Sequence, residues 1–122
     1  MTTIGAEMIS VSNGAVEIRF PFSPKLGQQN GFVHAGAVTS IMDSACGYAA
    51  MTLSSEEVDV LSVEFKANFM APAVGESFVA RACVKRAGKR LVVCTADAFA
   101  INSGEEKLIA TMLATMMNVD TK

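Results

Sequence analysis

From Phe32 to Leu53 the only acidic or basic side chains are His34 and Asp43. The rest is small or apolar: Ala35, Gly36, Ala37, Val38, Ile41, Met42, Ala45, Cys46, Ala49, Ala50 and Met51. At helical spacing Ala37, Ile41, Ala45, Tyr48 and Thr52 share one face, and Val38, Met42 and Ala49 extend it. The remaining surface is mostly Ala, Gly, Ser and Thr. A helix apolar nearly all round is one buried on most sides. A membrane span is the competing reading. It fails because the apolar core is too short once His34 and Asp43 are placed, and no Lys or Arg flanks it closely.

After Ser54-Ser55-Glu56-Glu57 the period changes from helical to two. Leu61, Val63, Phe65, Ala67 and Phe69 alternate with Ser62, Glu64, Lys66, Asn68 and Met70, which predicts a strand broken by Pro72 and Gly75. Ser77 to Arg86, Arg90 to Asn102 and Lys107 to Val119 read as three more. Their connections, Arg86-Ala87-Gly88-Lys89 and Asn102-Ser103-Gly104-Glu105, are hairpin-sized and carry glycine. Consecutive strands on short turns predict an antiparallel meander. Upstream, Ile9 to Phe22 reads as a hairpin about a type I′ signal, Asn13-Gly14, closed by Pro21 and Pro24. Lys25 to Phe32 reads as a loop. One helix enclosed by one strongly curved antiparallel sheet is an α+β layout. No repeat or linker divides residues 1–122, so a single domain is expected.

The apolar fraction of 51% excludes a disordered chain. Mean hydropathy is +0.37, high for a small monomer, so part of the apolar surface is expected in an interface between identical chains. A net charge of -2 leaves no footprint for nucleic acid. Cys46, Cys83 and Cys94 are an odd set in apolar runs, without C-x-x-C spacing, and read as reduced hydrophobes in a reducing compartment. Met1 to Ser10 has no basic cluster ahead of an apolar core, so no signal peptide is read there. The expectation is a soluble cytoplasmic protein.

Asp43 is the most informative side chain. Its helical neighbours are Thr39, Ser40, Cys46 and Gly47, none of them basic. A buried carboxylate without a partner is costly, so it has a purpose, or its face is solvated, or it pairs with a residue from another strand. The small residues Thr39, Gly47 and Ala50 around it leave space for a ligand. His34 lies where the loop enters the helix. The open N–H groups of a helix start favour an anion, including a developing oxyanion, and Ala35 and Gly36 let a carbonyl approach. His34 could equally cap or pack that turn.

Lys85, Arg86, Lys89 and Arg90 gather four cations about one tight turn. They could hold the phosphates of an anionic carrier, or form a solvated turn that blunts a sheet edge. Met112, Met116, Met117 and the other methionines read as core or interface filling. No G-x-S-x-G elbow, phosphate loop or dinucleotide fingerprint occurs, and one His with scattered Cys makes no metal cluster. No cofactor is expected.

Gly31-x-x-His34-Ala35-Gly36 followed by Asp43, then Leu61-Ser62-Val63-Glu64-Phe65 and Asn68-Phe69-Met70-Ala71-Pro72-Ala73, resembles the PaaI-type hotdog-fold thioesterases. The similarity runs from about Leu26 to Val119. It implies a long central helix wrapped by a curved antiparallel sheet, and dimers joined edge to edge, often paired again, so that a homotetramer is one expected state. It also implies active sites built from two subunits. By resemblance, Asp43 is the catalytic acid, acting as general base on water or as nucleophile. Ala35, with Gly36 beside it, stands where a backbone N–H polarises the thioester carbonyl. Gln28 falls where many members carry an asparagine that orients thioester or water, and Asn30 lies near enough to substitute. Ser62 matches a serine that positions the attacking water in some members. His34 matches the motif histidine, and Lys85 to Arg90 lies near where the family holds coenzyme A phosphates.

The function so implied is hydrolysis of an acyl-CoA thioester to free acid and coenzyme A. A thiolate leaving group needs little acid assistance, which suits a site without a second titrating residue. A hotdog hydratase or dehydratase needs an acid and a base at adjacent carbons, which His34 and Asp43 could supply only between subunits. A non-catalytic acyl-CoA-binding module would bind without releasing thiol.

Overall fold

The computed structural model describes residues 4–27, 32–55 and 57–120. The elements are β1 (Glu7–Ser12), β2 (Ala15–Pro21), a short 3-10 turn at Pro24–Leu26, α1 (Ala35–Met51), β3 (Val58–Phe69), β4 (Ser77–Ala87), β5 (Leu91–Asn102) and β6 (Glu105–Asp120). All six strands form one antiparallel sheet in the order β1-β2-β4-β5-β6-β3. The α+β layout of the sequence reading is therefore observed.

The meander holds for β4, β5 and β6 only. β3 does not pair with β4. It pairs with β6, and the segment after Phe69 carries the chain across to β4. The first hairpin takes the place beside β4 instead. The hairpin turn also differs from expectation. A type I′ turn needs positive φ at both central residues. At Asn13-Gly14 only Gly14 has it, at 77°. The pair that meets the requirement is Ser103-Gly104, with φ of 50° and 80°, where Glu76 Oε1 accepts the Ser103 N–H at 2.7 Å.

α1 lies on the inner face of the sheet and touches β2, β3, β4, β5 and β6. It buries Ala37, Val38, Ile41, Met42, Ala45, Cys46, Ala49 and Ala50 there. The facing sheet positions are mostly alanine: Ala80, Ala82, Ala96, Ala98, Ala100, Ala110 and Ala114 are all buried. Short side chains on both surfaces let helix and sheet approach closely. Larger groups, including Phe20 stacked on Phe78 at 5.0 Å between centroids, fill one side. The opposite side of α1 departs from the expectation of burial all round. Gly36, Ser40, Tyr48 and Met51 are exposed within the single chain, so this stripe carries small and apolar groups without being buried.

The end of α1 is tied to the first hairpin. Thr52 Oγ1 accepts the Gly14 N–H at 2.7 Å and donates to Ala49 O at 2.6 Å. On the outer face Arg81 donates to Glu17 at 2.9 Å and forms a forked pair with Glu106, over the Phe99 ring. The Arg81 hydrogen bonds hold the Glu106 carboxyl below its ordinary value of 4.5. A carboxyl lowered on folding adds stability above its unfolded value and loses that contribution as pH falls through the folded one. Wild type is therefore expected to melt above Glu106→Gln at neutral pH. The gap should close as pH falls below the ordinary carboxylate range, as thermal melts across pH 3 to 7 would read.

Candidate active site

The approach to α1 is fixed on two sides before the helix begins. The Val33 N–H donates to Ala73 O at 3.0 Å, and the His34 N–H donates to Leu26 O at 2.8 Å. His34 occupies the cap position with φ -59° and ψ 138° and makes no side-chain cap bond; its side chain is exposed. Its carbonyl accepts the Ala37 N–H at 3.0 Å. The N–H groups of Ala35 and Gly36 have no acceptor among the described residues. They point outward at the positive end of the helix. A Cβ built on Gly36 would meet nothing within 4 Å, so the space before these amides is open.

An apolar cleft of about 320 Å³ adjoins them. Its floor is Val33, Val38 and Ile109, all buried, and Phe32, Phe69 and the Ala71–Ala73 segment form its sides. Met70 and Ala71 both donate to Ile109 O, which holds the segment over β6.

Asp43 is half-buried one helix stripe away. Its Oδ1 accepts a hydrogen bond from Ser62 Oγ at 2.7 Å. Of the readings open for Asp43, partnership with another strand is the one found, and the partner is a hydroxyl. This contact exists because of a β-bulge. Ser62 pairs with Met116 and Glu64 with Thr115, so Val63 is an extra residue in β3. Strict alternation would put Ser62 and Phe65 on opposite faces. The bulge changes parity, so Ser62 shares the inner face with Phe65, Ala67 and Phe69, whose β6 partners Ala114, Met112 and Ala110 are buried. Met116 Sδ lies 3.4 Å from the same hydroxyl.

Cys46, one turn beyond Asp43, is no competitor as nucleophile. Its hydrogen bonding with Cys94, and then burial, push its thiol far up, so it stays protonated.

The predicted residues thus fall into three groups. Asp43 and Ser62 meet. His34, Ala35 and Gly36 lie together at the helix start, eight or so positions away, which is roughly 12 Å along a helix. The basic turn is at the other end of α1. Asn118 binds its backbone, donating its N–H to Arg90 O at 2.8 Å and its Nδ2 to Lys89 O at 3.3 Å, and its Oδ1 accepts from Ser54 Oγ. A polar cleft of about 640 Å³ opens there, lined in part by Ser54, Ser55, Lys89, Arg90 and Asn118. Lys85 is the extra residue of a second bulge and Arg86 sits on the outer face beside Val93. β4 and β5 are interior strands, but the β2 ladder ends at Cys83, so Lys85 and Arg86 stand on a stretch of β4 that β2 does not cover. Cations beside the negative end of a helix have a structural use of their own. Gln28 and Asn30 lie outside the described residues. Sequence reasoning missed the cleft. Its walls come from the helix start, β6 and the segment after β3, and the only local signal was the x-x-Pro ending at Pro72.

A single long helix across a six-stranded antiparallel sheet is the hotdog fold. Residues 30–107 match the thioesterase superfamily, and the chain belongs to it. Among solved structures it is similar to a thioesterase family protein from Silicibacter pomeroyi, at 51% identity and a TM-score of 0.97, over 98% of this chain and 88% of that one. It is also 35% identical to a Saccharolobus solfataricus protein provisionally named an esterase, over 92% of this chain and 72% of that protein. The PaaI protein of Escherichia coli, from the phenylacetic acid degradation operon, shares the fold at a TM-score of 0.85 and 18% identity, over 97% of this chain and 82% of that one. Among the described residues no helix is long and apolar enough to cross a membrane.

Proposed function

We propose that this protein hydrolyses an acyl-CoA thioester in a site shared by two copies of the chain. One observation carries the reading. The open amides of Ala35 and Gly36 and the Asp43 carboxylate stand on one rigid helix, roughly 12 Å apart, too far to act on one carbonyl within a single chain. A second copy removes the difficulty. β3 is a long edge strand whose Leu61, Val63, Phe65 and Phe69 are exposed, the kind of edge that pairs with another chain. An antiparallel pairing of β3 with its own copy, about a two-fold axis near mid-strand, sets Ser62 of one copy against the Phe65 half of the other. That half leads to the cleft and the open amides.

The thioester oxygen then receives the N–H of Ala35 and of Gly36. Asp43 of the second copy, oriented by Ser62 Oγ on Oδ1, takes a proton from water as the water oxygen bonds to the carbonyl carbon. Alternatively its carboxylate attacks directly and water resolves the resulting anhydride. Negative charge collects on the carbonyl oxygen beside the two amides. The C–S bond breaks, the thiolate leaves, and the proton held by Asp43 returns to it. From Asp43 the helix runs on for roughly 12 Å to its end, beside which Lys89 and Arg90 line the polar cleft, a span suited to a flexible carrier arm ending in phosphates. Lys85 and Arg86 add to the positive field there, and His34 would flank the substrate at the other end; by the family resemblance Gln28, or Asn30 in its place, is a candidate to orient water.

The test is free-thiol release from a panel of acyl-CoA esters, run beside hydration of an enoyl-CoA. Saturable thiol release without hydration is the expected result. Hydration without thiol release, or binding with neither reaction, overturns the reading.

A further inference from the structure

We infer that the apolar cleft beside Ala35 receives the hydrocarbon end of the acyl group, and that the protein selects uncharged acyl chains by length. This rests on the proposed hydrolysis for the identity of the ligand, and the cleft supplies what that reading leaves open. Every side chain lining the cleft among the described residues is apolar. The floor residues Val33, Val38 and Ile109 are no more than 3% exposed. A carboxylate or hydroxyl pushed down to that floor would lose water and meet no partner. A chain of methylenes would lose only unfavourable contact with water.

The cleft also lies in line with the amides. Ala35 is both the first donor of α1 and a lining residue, so a carbonyl held at its N–H has its alkyl side facing the opening. The volume, about 320 Å³, exceeds what an acetyl group fills and leaves room for several more carbons. Its depth is set by Ile109, the extra residue where the β5–β6 ladder slips, which turns inward together with Ala110. Phe69, 48% exposed at the rim, gives the outer part of a chain a surface to cover.

Equilibrium binding of S-alkyl-CoA thioethers of increasing length tests this without needing turnover. Affinity is expected to rise about four-fold per methylene over the first carbons and then level off. A terminal carboxylate should abolish the rise. Ala71→Leu fills the cleft, and should lower the affinity ratio of octyl to methyl by at least about ten-fold. Should that variant fail to fold, Phe69→Ala at the exposed rim is expected to lower the same ratio. A ratio unchanged in the folded variants overturns the inference, even where the enzyme hydrolyses thioesters. Length-dependent binding that Ala71→Leu removes sustains it, even where no thiol is released. A variant that alters dimerisation and leaves the ratio alone shows a second copy in the cleft, and also overturns it.

Discussion

Replacing Asp43 by asparagine is expected to lower thioester turnover by about 10²–10⁴-fold, the range spanned by loss of a general base. The change keeps the size of the side chain and its bond from Ser62, since the amide oxygen can still accept. A melting temperature near that of wild type should accompany the loss. KM should move little, because in the proposed mechanism the carboxylate acts on water or on the carbonyl carbon and not on the carrier. Full turnover in Asp43→Asn would remove this residue from the mechanism.

The second large effect comes from a substitution that deletes one N–H. Ala35 is the first residue of α1, where proline is well tolerated because that N–H has no partner in the helix. His34, with ψ of 138°, already has the backbone that must precede a proline. Ala35→Pro should therefore fold normally and yet lose about 10²–10³-fold in kcat through the missing oxyanion donor. The two variants together test the shared site. Each alone is nearly inactive. In a mixture that exchanges subunits, a mixed pair has one site with both defects and one with neither. Roughly a quarter of wild-type activity should return in an equal mixture at random exchange. No recovery would mean that both residues serve a site within one chain.

How much of this was legible beforehand differs by element. The helix was plain from Phe32 to Leu53, because a run of small residues with two polar interruptions has few other ways to fold, and α1 occupies its middle. Strand periods were also plain, since side-chain alternation is local. Pairing was not. Nothing in the β3 residues says that the partner is β6 and not β4, because the choice depends on what the intervening chain covers. Ser62 shows the same limit at the site. Its residue type and position suggested a role by resemblance, but alternation set it on the wrong face. Only the extra residue Val63, a property of two strands together, turns it toward Asp43. The cleft was hidden for a similar reason: its walls are ordinary apolar residues from three separate parts of the chain.

The alanines shared by α1 and the inner sheet have a further effect. They leave no slack between the two layers, so a longer side chain at Ala45, Ala96 or Ala114 would lift the whole rod. Because the Ala35 N–H and the Asp43 carboxylate, the donor and acid of the proposed site, ride on that rod, such a change would disturb both at a stroke. Variation is therefore expected to be tolerated at the cleft walls and at the far basic corner, while the middle of the molecule stays frozen.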